Sequence, residues 1–372
     1  MNLRPLIVDL GRDYRGGQHQ ALLLLQGLRS RGHAPELIAV RESELVHRAK
    51  TAGVSVHTVA PGCRRVGAAL HIRRRLREQH AGRSSGQGVD IVHANEPHAL
   101  SAAWLARAHR CVPLIASRRV VFPLSASAIS LARYRAAARV VAVSRCAAQG
   151  VIRSGLPASC VDVIYDGVEM VPEISFAARD RARGLLEIPR ASFCIGNIAA
   201  YVAGKGQDLL VRAFAELRAR VPASILLLRG EGPEQAAIQE LARQLQVIDA
   251  VKFLPPVAEI ETMFAAMDLF VFPASAEALG SVLLAAMAHG LPVVASACGG
   301  IPEVVESEKN GLLLDRLDSK ALADAVAGLY ENPEQARRLG RAARETIAAR
   351  FSADHMVEAT VQLYVDLIAA RM

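Results

Sequence analysis

The chain has 372 residues, 52% of them apolar, and a mean hydropathy of +0.22. At about 100–200 residues per domain, this length predicts two packed domains, and the composition excludes a disordered chain or a coiled coil. Residues 1–170 carry 24 Lys and Arg against 11 Asp and Glu, whereas residues 171–372 carry 20 against 25. The basic half calls for an anionic partner. An aromatic content of 4% argues against a stacking platform for single strands, and with no nucleic-acid-binding signature, nucleic acid is not the expected partner.

The opening MNLRPLIVDLGRD holds a short apolar run that stops at Asp9, so it reads as a strand and not as a secretory signal. No charge-free stretch reaches 18 apolar residues, so no membrane span is expected. The six cysteines, at 63, 111, 146, 160, 194 and 298, form no Cys-x-x-Cys pair, and no histidine cluster has metal-ligand spacing. No metal and no cofactor are expected, and the expected compartment is the cytoplasm.

In chain order, Leu6–Leu10 is the first predicted strand, followed by a polar glycine loop to Gly17 and a helix over 18–30. Pro35–Val40, Val54–Val59, Asp90–Asn95, Val112–Ser117, Val140–Ser144 and Val161–Tyr165 are further strands, with a helix over 98–109. The pattern breaks around 168–190, where Pro172, Pro189 and the run RDRARG suggest a linker. It restarts with strands at Phe193–Ala199, Ile225–Leu228, Val251–Leu254, Leu269–Phe272, Val293–Ser296 and Leu312–Leu314. Helices are predicted over 206–220, 234–246, 259–267, 281–289, 319–330, 334–349 and 353–370. The alternation predicts an α/β protein: two Rossmann-like doubly wound domains facing across a cleft, with ligand off the C-terminal strand ends.

Four places carry candidate chemistry. The loop from Arg12 to Gln18 contains Gly16 and Gly17 ahead of a helix N-terminus, which suits an anion. His93 and Asn95 share one face at the end of a strand, with His98 a helical turn away. Arg118 and Arg119 end the next strand and form a possible phosphate or carboxylate clamp. The stretch Phe272 to Gly290 reads as strand, loop with Glu277, then a helix whose start at Leu279–Ser281 suits a diphosphate. Glu277 is placed to accept from sugar hydroxyls. The segment His71–Arg83, with arginines at 73, 74, 75, 77 and 83 against Glu78, reads either as an interfacial amphipathic helix or as a core helix with a solvated face.

The order and spacing of these motifs resemble the retaining nucleotide-sugar glycosyltransferases of family 4, with their two-Rossmann-domain B fold (GT-B). The resemblance rests on the glycine loop, the strand ending near His93, Tyr165-Asp166-Gly167-Val168, Lys205-Gly206, Gly230-Glu231-Gly232-Pro233, the Pro273–Met287 block and Gly299-Gly300-Ile301-Pro302-Glu303-Val304-Val305. It implies an acceptor-binding domain over 1–172, a linker over 173–190, a donor-binding domain over 191–350, and a final helix over 351–372 returning to the first domain. It implies a nucleotide-diphosphate-sugar donor and a glycan or lipid-linked acceptor in envelope or lipopolysaccharide synthesis; the basic first half and the His71–Arg83 segment add an expected peripheral attachment to an anionic membrane surface, on its cytoplasmic face. His93, Asn95, Lys205 and Glu277 become the catalytic candidates. Gly16, Gly17, Lys205, Arg229, Gly230, Glu277, Ala278, Leu279, Gly280 and Ser281 become donor contacts, and Arg12, His98, Arg118 and Arg119 acceptor or phosphate contacts. Three positions depart from the family pattern: Ala285 stands where a second glutamate is usual, Ala200 where an arginine accompanies the lysine, and Asn95 where a second histidine is common. Arg229, Arg118 and Arg119 are candidates to compensate. The competing readings are a catalytically impaired homologue that binds a sugar nucleotide or glycan, and a sugar-nucleotide epimerase.

Overall fold

The computed structural model describes residues 2–80, 88–255 and 259–371, apart from the side chains of 79 and 80. Arg83, counted in the basic segment above, lies outside the described residues. The chain divides into two units, Met1–Gly167 with Ala353–Met372, and Val168–Ser352.

The first unit is a seven-stranded parallel sheet: β1 (Pro5–Asp9), β2 (Glu36–Val40), β3 (Ser55–Val59), β4 (Ile91–Ala94), β5 (Leu114–Arg118), β6 (Arg139–Ala142) and β7 (Val161–Val163). The spatial order is β3-β2-β1-β4-β5-β6-β7. A parallel sheet is covered on both faces, which is why β1 is buried at every position. The period of two sorts its side chains. Leu6 and Val8 join Ile38, Val92 and Leu114 under α3 (Arg64–His80), α4 (Pro97–Leu105), α5 (Ala128–Arg135) and α6 (Arg145–Arg153). Ile7 joins Leu37, Ile91 and Ile115 under α1 (Gly16–Ser30), α2 (Glu44–Thr51) and α14 (Ala353–Ala369). The last helix lies close on α1: a Cβ at Gly27 would stand 2.5 Å from Val357 Cγ2. Helices α2, α5 and α6 are absent from the sequence expectation. Each is only 8–9 residues long. All three start on a serine whose hydroxyl caps the first turn, Ser43, Ser127 and Ser144.

The second unit holds a six-stranded parallel sheet in the order β10-β9-β8-β11-β12-β13. Its strands are β8 (Phe193–Ile198), β9 (Ser224–Arg229), β10 (Val251–Leu254), β11 (Leu269–Phe272), β12 (Val293–Ser296) and β13 (Leu312–Leu314). Around them lie α7 (Phe176–Leu185), α8 (Gln207–Arg220), α9 (Gln235–Gln244), α10 (Ile260–Ala266), α11 (Ser281–Ala288), α12 (Ser319–Glu331) and α13 (Pro333–Arg350).

The linker expected over 173–190 is corrected by α7. Ser175 caps it, and Arg179 and Arg183 pair with Asp268 at 2.8 and 2.6 Å. Arg183 is buried and also donates through Nε to the Ala266 carbonyl. The arginine run read as linker because its carboxylate partner lies 85 residues further along the chain.

Candidate active site

In a doubly wound sheet the crevice opens where the strand order reverses, off the carboxyl ends of the two strands that flank the reversal. That point lies between β1 and β4 in the first unit and between β8 and β11 in the second. The loops that follow those four strands carry most of the residues singled out above.

At the first reversal, the end of β1 supplies Asp9, which is fully buried. Its carboxylate accepts from Gln18 Nε2 at 3.1 Å, from Asn95 Nδ2 at 2.6 Å and from the Gly11 N–H at 2.8 Å. Asn95 also donates to the Gly17 carbonyl at 3.0 Å and accepts from Arg119 Nη1 at 2.6 Å. Arg119 continues to Asp166 at 3.1 Å. Asn95 is thus the hub that fixes the glycine loop against the strand ends. Gly16 and Gly17 form the first turn of α1, and a Cβ at Gly17 would touch only Arg119 Cδ, at 3.9 Å. Arg12 is exposed and donates to the Pro61 carbonyl, and His98 is exposed on the first turn of α4.

Two expectations at this end fail. His93 does not face the strand end: it is 3% exposed, with Nδ1 2.6 Å from the Tyr364 hydroxyl and Nε2 2.7 Å from Ser117 Oγ. Burial, aided by the Arg119 charge, lowers its pKa to about 3, so the ring is neutral and ties α14 to β4 and β5. Period two placed the side chain on a face but did not reveal that the final helix covers that face. Arg118 and Arg119 do not form one clamp. Successive strand residues point to opposite faces, and Arg118 turns to the carbonyls of Phe122 and Pro123 instead.

At the second reversal, Lys205 and Glu277 meet. Lys205 Nζ donates to Glu277 Oε2 at 2.7 Å, and the Ala278 N–H donates to Glu277 Oε1 at 3.0 Å. The Glu277 carbonyl accepts from the Gly300 N–H at 3.0 Å, which holds the acidic loop to the Gly299-Gly300 turn. That turn needs glycine: Gly299 has φ +55°, and a Cβ would lie 1.8 Å from the Glu277 carbonyl oxygen. Ala278, Leu279 and Gly280 are buried and offer backbone, while Ser281 is half-buried. Arg229 ends β9, and burial lowers its pKa, with Glu261 opposing. Gly230 beside it lies so close to the Ala199 carbonyl that a Cβ would stand 2.0 Å from it.

The two helices at this site begin on glycine; α9 and α10 also lack a side-chain cap but start on glutamates, Glu234 and Glu259. Ser43, Ser127, Ser144, Ser175 and Asp318 cap α2, α5, α6, α7 and α12 with their side chains. By contrast α8 and α11 begin on left-handed glycines, Gly206 (φ +74°) and Gly280 (φ +87°), with no side-chain cap. Their first N–H groups are therefore left for another acceptor, and the positive end of each helix dipole lies beside Lys205 and Glu277. Two bare helix starts, a lysine and a carboxylate make a site for an anion that carries hydroxyl groups.

Ala285 lies on the half-exposed face of α11 one turn beyond Ser281, and Ala200 follows β8. Neither brings a charge to the site. Sequence reasoning missed Asp9 and Gln18, although a carboxylate closing an apolar strand was the available signal. It also missed Cys298, whose thiol donates to the Ala274 carbonyl and which burial keeps protonated. Among the described residues, no group of three or more His, Cys, Asp or Glu is arranged to hold a metal ion. No described helix is long and apolar enough to cross a membrane.

The description Glycosyltransferase Family 4 matches residues 14–170, and Glycosyl transferases group 1 matches residues 179–346. A GDP-mannose-dependent alpha-(1-6)-phosphatidylinositol monomannoside mannosyltransferase of Mycolicibacterium smegmatis is 36% identical over 201 residues, 50% of this chain and 52% of that protein. The chain thus spans only about half the length of this relative, and 42% of an N-acetyl-alpha-D-glucosaminyl L-malate synthase of Bacillus anthracis that is 35% identical over 44% of this chain. A D-inositol 3-phosphate glycosyltransferase of Salinispora arenicola is 28% identical over 78% of this chain and 71% of its own. Among solved structures, a glycosyltransferase from Rickettsia africae superposes with a TM-score of 0.85 at 18% identity, covering 99% of both chains. Anabaena HepE in complex with UDP-glucose superposes with a TM-score of 0.83 at 22% identity, covering 98% of this chain and 100% of that one. At these identities the superpositions establish the fold, which is GT-B.

Proposed function

We propose that this GT-B protein, a relative of the family 4 and group 1 glycosyltransferases, moves a sugar from a nucleotide-diphosphate-sugar donor to a glycan or lipid-linked acceptor, with retention of anomeric configuration, in cell-envelope saccharide synthesis. The observation that carries the reading is the Lys205–Glu277 pair set between two helix starts that lack side-chain caps. Lys205 and the first N–H groups of α8 and α11 take the diphosphate, and they meet the negative charge that builds on it as the glycosidic bond breaks. Glu277, oriented by the Ala278 N–H, accepts from the hydroxyls of the transferred sugar. Arg229 supplies the second cation in place of the arginine missing at Ala200. The Asp9–Asn95–Arg119 network holds the glycine loop that shapes the acceptor end.

A second reading is favoured by Ala285: a protein that binds a sugar nucleotide without transferring it. The two separate when the chain is incubated with a panel of nucleotide-diphosphate sugars and lipid-linked or glycan acceptors, and products are read by mass spectrometry and proton NMR. Transfer with the donor's anomeric configuration supports the proposal. Binding without any turnover supports the second reading. Conversion of free donor without acceptor marks an epimerase.

A further inference from the structure

The first unit carries a cavity at the end of its sheet opposite the glycine loop. It has a volume of about 570 Å³ and lies along the amino ends of β1, β2 and β3, where Leu6, Glu36 and Ser55 stand in register. From Arg4, on its wall, to Asp9, at the other end of β1, the extended chain covers about 16 Å. The cavity is therefore separate from the crevice end that Asp9 helps to build.

Arginines line it from three segments: Arg4 ahead of β1, Arg29 on the last turn of α1, and Arg75 on α3. The charge of Arg75 is already met. Its guanidinium donates to Glu36 and Glu78, and Glu36 also pairs with His57 at 2.9 Å. Burial opposes ionisation of Glu36, but hydrogen bonds from His57 and Arg75 prevail and hold its carboxyl at about 2, so it stays charged. Arg4 and Arg29 differ from Arg75. Among the described residues, neither guanidinium has a hydrogen-bond partner or an ion pair. Arg29 is placed by shape: Gly53 has φ +70°, and a Cβ there would stand 2.9 Å from Arg29 Nη1, so the guanidinium lies on bare backbone. His33 adds a neutral donor. Its Nδ1 accepts from the Leu3 N–H at 3.2 Å, which leaves the ring proton on Nε2.

We infer that this cavity binds a small hydroxylated phosphate monoester, with the phosphate between Arg4 and Arg29. Two guanidiniums without a carboxylate match the charge of about −1.5 to −2 that a phosphate monoester carries near neutral pH, and a single carboxylate would leave one of them unmet. The volume falls within the range of about 300–1,000 Å³ that suits an organic ligand and far exceeds what an inorganic ion fills. Ala34 and Pro35 are the only apolar side chains among the described lining residues, so the organic part must be polar. A lipid tail or an aromatic base would find no apolar wall. The inference is independent of the transferase reading, because Lys205 and Glu277 belong to the other unit.

The test is calorimetric titration of glucose 6-phosphate and of glycerol 3-phosphate into the full-length protein. At least one should bind saturably, at least ~10-fold more tightly than inorganic phosphate, while glucose and glycerol should not bind. Arg4→Gln and Arg29→Gln should each weaken binding at least ~10-fold, the loss of one charge-assisted contact. Arg153→Gln, exposed on the last turn of α6, should bind as the unaltered protein does. Lys205→Ala should also bind equally, which separates this cavity from the diphosphate site. The His33 ring proton resonance, assigned by its absence in His33→Gln, should move during the titration, and it reports the place of binding in the unaltered protein even if an arginine variant fails to fold. Absence of binding by both esters, equal binding of glucose, a stationary His33 resonance, unchanged affinity in Arg4→Gln and Arg29→Gln, or a loss confined to Lys205→Ala would each overturn the inference. Failure of every nucleotide sugar to bind, with phosphate-ester binding intact, would count against the transferase proposal alone.

Discussion

Lys205 and Glu277 lie 72 positions apart in the chain and 2.7 Å apart in space. Substitution separates the roles proposed for the two residues. Glu277→Gln keeps the size and loses the charge, so turnover should drop about 100-fold while donor affinity changes by a few-fold at most, a split read by steady-state kinetics. Equal turnover would assign Glu277 to the architecture of the loop. His93 makes a different prediction. Its folded pKa, lowered to about 3, lies below the ordinary value of 6.5, so as pH falls the unfolded chain takes up the proton first. The stability associated with the neutral ring is complete above pH 6.5 and is lost towards pH 3, at up to ~1.4 kcal/mol per pH unit. His93→Gln should flatten the pH dependence of urea unfolding between pH 6 and 4, and an unchanged slope would contradict the buried neutral ring. At this scale the sequence was legible where a strand and a helix bracket a residue, as they do the loop position of Glu277. It was not legible where the partner comes from a distant helix, as Tyr364 does for His93.

The elements divide along the same line. Short apolar runs such as Leu269–Phe272, followed by the helical run after Gly280, announce themselves by composition and by glycine. Helix α7 did not, because its stabilising partner is Asp268 on the strand side of the second unit. Gly184 tests that correction. It lies inside α7 with open space around its Cβ position and no positive φ. Gly184→Ala should raise stability by about 0.5–1 kcal/mol in thermal unfolding, as in a helix, where a linker would show no change. Gly206 should behave in the opposite way. Its φ is +74°, and a Cβ would stand 2.1 Å from the Pro273 carbonyl oxygen. Gly206→Ala should therefore cost at least about 2 kcal/mol, with loss of the lysine loop's geometry. On α11, Ala285→Glu places a carboxylate on the half-exposed face one turn from Ser281. If that face meets a donor ribose, affinity should rise by about 1–3 kcal/mol with the melting temperature preserved. Weaker binding with a lowered melting temperature would show a buried, unpaired charge instead.

Across the whole molecule, two α/β units were legible because strand and helix periods restart after a break, and parallel strands demand helices between them. The sheet orders, and with them the reversals that locate the crevice ends, were not legible, since period and turn signals say nothing about which strands become neighbours. Those orders bring Asp9 to Asn95 and Lys205 to Glu277. The central claim is that the second reversal binds a nucleotide-diphosphate sugar through Lys205 and the bare starts of α8 and α11. Calorimetric titration of a panel of such donors into the unaltered protein and into Lys205→Ala measures it directly. One donor should saturate the unaltered protein, and Lys205→Ala should bind it about 10–100-fold more weakly, the loss of one charge-assisted phosphate contact, at an unchanged melting temperature. No binding across the panel, or equal affinity in the two proteins, would contradict the account.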